Sequence, residues 1–263
     1  MATGAVPAVL LLHGQPGDRA DWDGVVSALN GRVQTIAHSR PGWDGASPAL
    51  DLEGNARAAL AALDARGIGR AVIVGHSLGA AVATWLAAGR PDRVAALVLA
   101  APAANLAALY PLDRWLAAPI AAEFASTATI GGLGLVLTVG PVRRRIAGVT
   151  GINEGYLNIV RRAALKPSAW RAYASEQRTL IRDLPQLERR LADITAPTTI
   201  LTGARDRIVP PRAARVLARQ ISGARLVVAP DAGHLLPHRA PELMADVILT
   251  ALADCAASTL GDR

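Results

Sequence analysis

Residues Val72 to Ala81 constrain this chain more than any other stretch. A short apolar run, Val72-Ile73-Val74, enters Gly75-His76-Ser77-Leu78-Gly79, and an Ala-rich segment with helical character follows from Leu78 to Gly89. Strand, sharp turn, helix is the order that a nucleophile elbow requires. The turn forces Ser77 into a strained backbone conformation. Glycine is needed at Gly75 and Gly79 because a side chain there would strike the neighbouring strand or helix. Ser77 then projects its hydroxyl at the top of a sheet, where the helix start offers backbone N–H groups and a positive dipole end to a developing anion. The pentapeptide alone also fits an ordinary Gly-Ser turn; the flanking strand and helix patterns favour the elbow.

The rest of the chain repeats that rhythm. Val9 to Leu12, Val33 to Ala37 and Val94 to Leu99 are further apolar runs, with helical patterns at Trp22 to Leu29, Asp51 to Arg66 and Leu78 to Gly89 between them. Uninterrupted apolar strands alternating with helices predict a parallel sheet covered on both faces, with active residues at the C-terminal ends of the strands. From Ala103 to Ile194 the alternation stops. Helical segments at Leu106–Ala118, Ile130–Gly140, Glu154–Leu165, Ser168–Leu184 and Leu187–Ile194 follow one another and predict an inserted helical cap over 103–194. Strand–helix alternation resumes with Thr198–Thr202, Pro211–Gln220, Leu226–Val228 and Pro241–Ala256, so the core domain is 1–102 plus 195–263.

Composition narrows the function class. With 263 residues, 51% hydrophobic and 19% charged, the chain suits one sizeable packed α/β domain. A formal charge of +7 would suit nucleic acid, but the arginines are scattered among apolar segments with no basic stripe or binding motif. Lys166 is the only lysine, which fits a GC-rich coding bias. No nucleic-acid partner is expected. One cysteine, Cys255, forms no internal disulfide, and Met1 to Pro7 carries no signal-like n-region, so a cytoplasmic protein is expected.

A serine hydroxyl needs a base within hydrogen-bond reach, and the base needs an orienting carboxylate. Strand ends supply both, at His234 after Pro230-Asp231-Ala232-Gly233 and at Asp206 after Gly203-Ala204-Arg205. Each has an ordinary reading, Asp206 as a loop cap and His234 as a hydrogen-bonded loop histidine. Their conjunction behind separate strands carries the assignment. Backbone N–H groups of Gln15 and Leu78 are the expected oxyanion donors. His13 and Gly14 are expected to brace that loop, and His76 and His238 to be structural. No cofactor and no metal are called for.

These pieces resemble the α/β-hydrolase superfamily, in its esterase and haloperoxidase-like branch. The matching segments are His13-Gly14-Gln15-Pro16-Gly17, Arg40-Pro41-Gly42-Trp43 with Ser47, Gly75-His76-Ser77-Leu78-Gly79, Gly203 with Asp206, and Gly233-His234. The order Ser77, Asp206, His234 is that family's triad order. The resemblance implies acyl chemistry on a serine, with a carboxylesterase acting on a small-to-medium hydrophobic ester as the leading expectation. C–C bond hydrolysis or a perhydrolase reaction on the same triad is the alternative within enzymes, and a non-catalytic ligand-binding scaffold the alternative outside them. Two departures stand out. Family members carry a two-strand hairpin before the His-Gly strand, where this chain has only Met1 to Pro7. The shortened start leaves a sheet edge open, and either a misplaced start site or pairing in a homodimer would account for it. The acidic residue usual before Arg-Pro-Gly is Ser39 here.

Within the cap, Ile130 to Val142 is apolar and precedes Arg143-Arg144-Arg145. Membrane-surface contact is one reading. The favoured one is that the segment lines an acyl pocket and turns its arginines to solvent. Trp43, Trp115 and Trp170 are the candidate pocket aromatics, with core packing as the competing role for each.

Overall fold

The computed structural model of the chain describes residues 7–111, 113, 123–125, 127–150 and 152–261. Six strands, β1 (Ala8–Leu12), β2 (Thr35–His38), β3 (Ala71–His76), β4 (Val94–Ala100), β5 (Thr198–Gly203) and β6 (Arg225–Ala229), form one sheet in the order β2-β1-β3-β4-β5-β6. Every neighbouring pair is parallel.

The central strands read as unbroken apolar runs because both faces are covered. Successive side chains alternate between two cores. Leu10, Leu12, Ile73, Leu97, Leu99 and Ile200 pack on one face, with Leu52, Leu63 and Leu86 of the helices. Val9, Leu11, Val72, Val74, Val98 and Leu201 pack on the other, with Trp22, Val25, Met244 and Ile248. Edge strand β2 begins at Thr35 rather than Val33, and edge strand β6 leaves Val228 exposed.

Helices α1 (Asp23–Leu29), α2 (Leu52–Asp64) and α3 (Leu78–Gly89) connect the first four strands. Asp51 starts α2 by accepting a 2.8 Å bond from Gly54 N, satisfying one of the first-turn amides. Between β4 and β5 run α4 (Gly132–Thr138), α5 (Gly140–Thr150), α6 (Glu154–Ala164) and α7 (Pro167–Arg189). The chain closes with α8 (Pro211–Gln220), the short α9 (Leu236–Arg239) and α10 (Pro241–Gly261).

Two expectations for the β4–β5 segment differ from the structure. Of the helix expected over Leu106–Ala118, Leu106–Ala108 is a 3₁₀ turn, Leu109 is extended, and Asp113 N donates to Tyr110 O at 3.0 Å; residues 112 and 114–118 lie outside the described residues. The break expected between Leu184 and Leu187 does not occur, because α7 runs through Pro185. A proline in a helix forfeits one backbone bond. Here Leu180, Leu184 and Leu187 are buried in the same core as α2 and α3, and that packing holds the axis on both sides of the proline.

The topology also locates the site. From β1 the chain moves outward to β2, then returns across β1 to β3, so connections leave in opposite directions from the carboxyl ends of β1 and β3. A crevice opens where such a reversal occurs. The loop after β1 carries Gly14 and Gln15, and the turn after β3 carries Ser77.

Candidate active site

Ser77 has φ 54° and ψ −118°, a left-handed conformation that an L-residue rarely adopts. Its surroundings impose it. A Cβ on Gly75 would lie 2.4 Å from Gly79 O, and one on Gly79 would lie 2.3 Å from Leu12 O. The two glycines let β3, α3 and β1 approach at backbone contact distance, and the chain can reverse only through a strained residue between them. The Ser77 amide donates to Ala100 O at 2.9 Å, and its carbonyl accepts from Ala80, Ala81 and Ala103.

The structure brings the three predicted side chains together. His234 Nε2 is 3.0 Å from Ser77 Oγ, and His234 Nδ1 is 2.8 Å from Asp206 Oδ2. The second oxygen of Asp206 accepts from the amides of Ile208 at 2.8 Å and Val209 at 2.9 Å. This loop therefore aims the carboxylate. Gly203 permits it, since a Cβ there would meet Ala232 O and Gly233 O at 2.4 Å. His76 Nε2 donates to His234 O at 2.9 Å and fixes the backbone of the imidazole-bearing loop. Burial and the neighbouring His234 push the His76 pKa down to about 3, so this ring stays neutral.

Gln15 and Leu78 are placed by their preceding carbonyls. Gly14 O accepts from His13 Nδ1 at 2.7 Å and from Arg40 Nη2 at 2.9 Å. In a trans peptide the following N–H points the opposite way, so two donors on Gly14 O direct the Gln15 amide. The Ser77 carbonyl, held by three amides, directs the Leu78 amide in the same manner. His13 Nε2 accepts from Arg40 N at 3.0 Å, which leaves Nδ1 as the protonated nitrogen. Complete burial and the Arg40 charge hold the His13 pKa well below its ordinary value.

Sequence reasoning missed what braces Arg40. The guanidinium is fully buried and forms an ion pair with Glu176 of α7, which is 1% exposed. Trp43 Nε1 donates to the same carboxylate at 2.8 Å. The pair spans 136 positions of sequence, so no local pattern announces it.

A cavity of about 400 Å³ is lined by His234, Gly14, Gln15 and His76, with a wall that includes Ile130, Leu133, Leu137, Ile146, Leu157 and Val160. The Ile130–Val142 segment thus contributes Ile130, Leu133 and Leu137 to the wall; Arg144 and Arg145 are exposed, whereas Arg143, expected at the solvated side with them, is half-buried, pairs with Glu154 and donates to Leu137 O at 2.9 Å. Trp43 lines a smaller void of about 50 Å³ with Pro16, Ile130 and Tyr156. Trp170 is not in the wall of the larger cavity; it packs on Gly131 and donates to Ala164 O at 2.6 Å. Trp115 lies outside the described residues. Among the described residues, no group of three metal-ligating side chains occurs, and no single helix is long and apolar enough to cross a membrane.

The sequence model of the alpha/beta hydrolase family matches residues 9–247. The chain belongs to the alpha/beta hydrolase family. It is 31% identical over 239 residues to a pimeloyl-acyl-carrier-protein methyl ester esterase of Neisseria meningitidis, covering 88% of this chain and 87% of that protein. Among solved structures, a hydrolase from Pseudomonas aeruginosa superposes with a TM-score of 0.68 at 26% identity, over 94% of this chain and 89% of that one. An enol-lactonase from Burkholderia xenovorans gives a TM-score of 0.75 at 20% identity, over 96% and 94%, a likeness of fold. The alpha/beta hydrolase fold here is the six-stranded parallel sheet with its flanking helices, and the protein is a hydrolase with esterase relatives.

Proposed function

We propose that this hydrolase is a serine carboxylesterase acting on a small-to-medium hydrophobic ester through an acyl-enzyme. The observation that carries the reading is the continuous path from Ser77 Oγ through His234 to Asp206, at 3.0 and 2.8 Å, on a strained elbow beside an apolar cavity.

Ser77 Oγ attacks the ester carbonyl carbon while His234 Nε2 takes the hydroxyl proton. Asp206 holds the imidazole tautomer and stabilises the imidazolium. The oxyanion forms against the Gln15 and Leu78 amides, each worth roughly a hundred- to a thousand-fold in rate. The tetrahedral adduct collapses, the C–O bond breaks, and the alcohol leaves with the proton from Nε2. Water then attacks the acyl carbon, deprotonated by the same nitrogen, and Ser77 is regenerated with release of the acid. The 103–194 segment serves as the cap that shields this chemistry from solvent and offers Ile130, Leu133 and Leu137 to the apolar part of the substrate.

The test is turnover of p-nitrophenyl esters across acyl-chain lengths. Ser77→Ala is expected to retain the fold, measured by circular dichroism, and to lose turnover by a factor of roughly 10⁴ or more. Turnover at the wild-type rate in Ser77→Ala refutes the role of Ser77. Cleavage of β-diketones but not of esters by the wild type would move the reaction to C–C bonds on the same residues.

A further inference from the structure

The cavity beside His234 has a second polar group that the relay does not use. Asp21 follows β1 in the segment leading to α1, Tyr156 lies on α6 and His238 on α9, and all three line the same cavity of about 400 Å³. The Tyr156 hydroxyl donates to Asp21 Oδ1. His238 Nε2 lies 3.8 Å from that oxygen, too long for a hydrogen bond, and its ring centroid is 4.5 Å from that of Tyr156. The remaining wall is largely isoleucine, leucine and valine. Three polar groups from three separate elements meeting in an apolar cavity are costly to assemble unless something there is recognised.

We propose that Asp21, Tyr156 and His238 form a polar subsite that recognises a neutral hydrogen-bonding substituent, a hydroxyl or an amide, on an otherwise apolar ester. The subsite names the substrate class for the esterase reading and rests on it for turnover, though not for binding. Asp21 is 6% exposed, and among the described residues the one basic side chain within 4 Å of its carboxyl is His238. Burial, assisted by Asp18, pushes the Asp21 pKa up to about 7; the Tyr156 hydroxyl and the Arg40 charge oppose the rise. Near neutral pH the carboxyl therefore exists in both forms and both accepts and donates. Burial lowers the His238 pKa, which keeps that ring neutral, and burial beside Asp21, Asp18 and Asp23 keeps Tyr156 protonated. The groups facing the subsite are thus neutral or weakly acidic. A carboxylate substituent would meet the Asp21 carboxyl in the wall, whereas a hydroxyl or amide can donate to Asp21 and accept from His238. The Gln15 amide oxygen, buried without a partner among the described residues and in the same wall, offers one further acceptor.

Isothermal titration calorimetry on Ser77→Ala protein tests this without turnover. The probes are methyl esters of C4 to C10 acids, either unsubstituted or ending in a hydroxyl, carboxamide, carboxylate or ammonium group. At one chain length the hydroxyl or carboxamide ester is expected to bind about tenfold more tightly than its unsubstituted match, as for one well-made hydrogen bond. Adding Asp21→Leu, or His238→Phe should that variant fail to fold, is expected to erase the tenfold preference and leave the unsubstituted esters within about twofold. The proposal is overturned by the absence of a preference at any length, by preference for the carboxylate or ammonium ester, or by an equal loss on every ester. Failure of wild-type protein to hydrolyse any ester would refute the esterase reading alone, since the calorimetric arm still reports on the subsite.

Discussion

Ser77 is held at φ 54° by what its neighbours lack. A methyl group on Gly79 would sit 2.3 Å from Leu12 O and 2.4 Å from His13 O, both backbone atoms that cannot swing aside. Gly79→Ala is therefore expected to destabilise the fold by about 3 kcal/mol in urea denaturation, an overpacking cost at the upper end for one methyl. Gly132→Ala at the start of α4, where a Cβ meets nothing within 4 Å, is expected to be neutral or slightly stabilising in the same measurement. A second prediction concerns Asp21, whose folded pKa is raised from 3.8 to about 7 by burial. Between those values the folded chain binds more protons than the unfolded one, so the Asp21 contribution to stability is present at low pH and is lost as pH rises toward 7. The melting temperature of Asp21→Asn relative to wild type is expected to climb steadily between pH 4 and pH 8. A flat difference would contradict the raised pKa.

Arg40 in the loop after β2 and Glu176 on α7 tie two remote elements together beneath the Gln15 loop. Replacing one member leaves a buried charge uncompensated. Glu176→Ala is expected to cost roughly 3–5 kcal/mol in chemical denaturation, against a few tenths for Glu53→Ala in the exposed Glu53–Arg57 pair. Because Arg40 also holds Gly14 O, the same variant is expected to lower kcat more than it raises KM. These elements differ in how far they can be read from sequence. β1, β3 and β4 are buried on both faces, and an apolar run announces that directly; β5 is equally buried, but Thr198, Thr199 and Thr202 break its run. β2 is an edge strand, so its first residues carry no such demand, and the start moves from Val33 to Thr35. In α7 the local signal of Pro185 is overridden by Leu184 and Leu187, whose contacts in the core are remote in sequence. Ser77, Asp206 and His234 are legible because each follows its own strand with glycine nearby. Glu176 and Tyr156 are not, because each is an ordinary polar helix residue until a distant loop meets it.

The parallel sheet carries residues 77, 206 and 234 to one rim, since every strand of such a sheet ends on the same side. The β4–β5 helices place an apolar wall over that rim, and the cavity beneath it is lined by His234, Gly14 and Gln15. A fluorophosphonate reports on the whole arrangement at once, because phosphonylation needs an activated serine, a neighbouring base and access. The decisive measurement is intact-mass analysis followed by peptide mapping after exposure of the purified protein to an alkyl fluorophosphonate. A single adduct on Ser77 is expected, formed at least a thousandfold more slowly in His234→Ala. Folded protein that stays unlabelled, or that carries the adduct on another residue, would contradict this expectation.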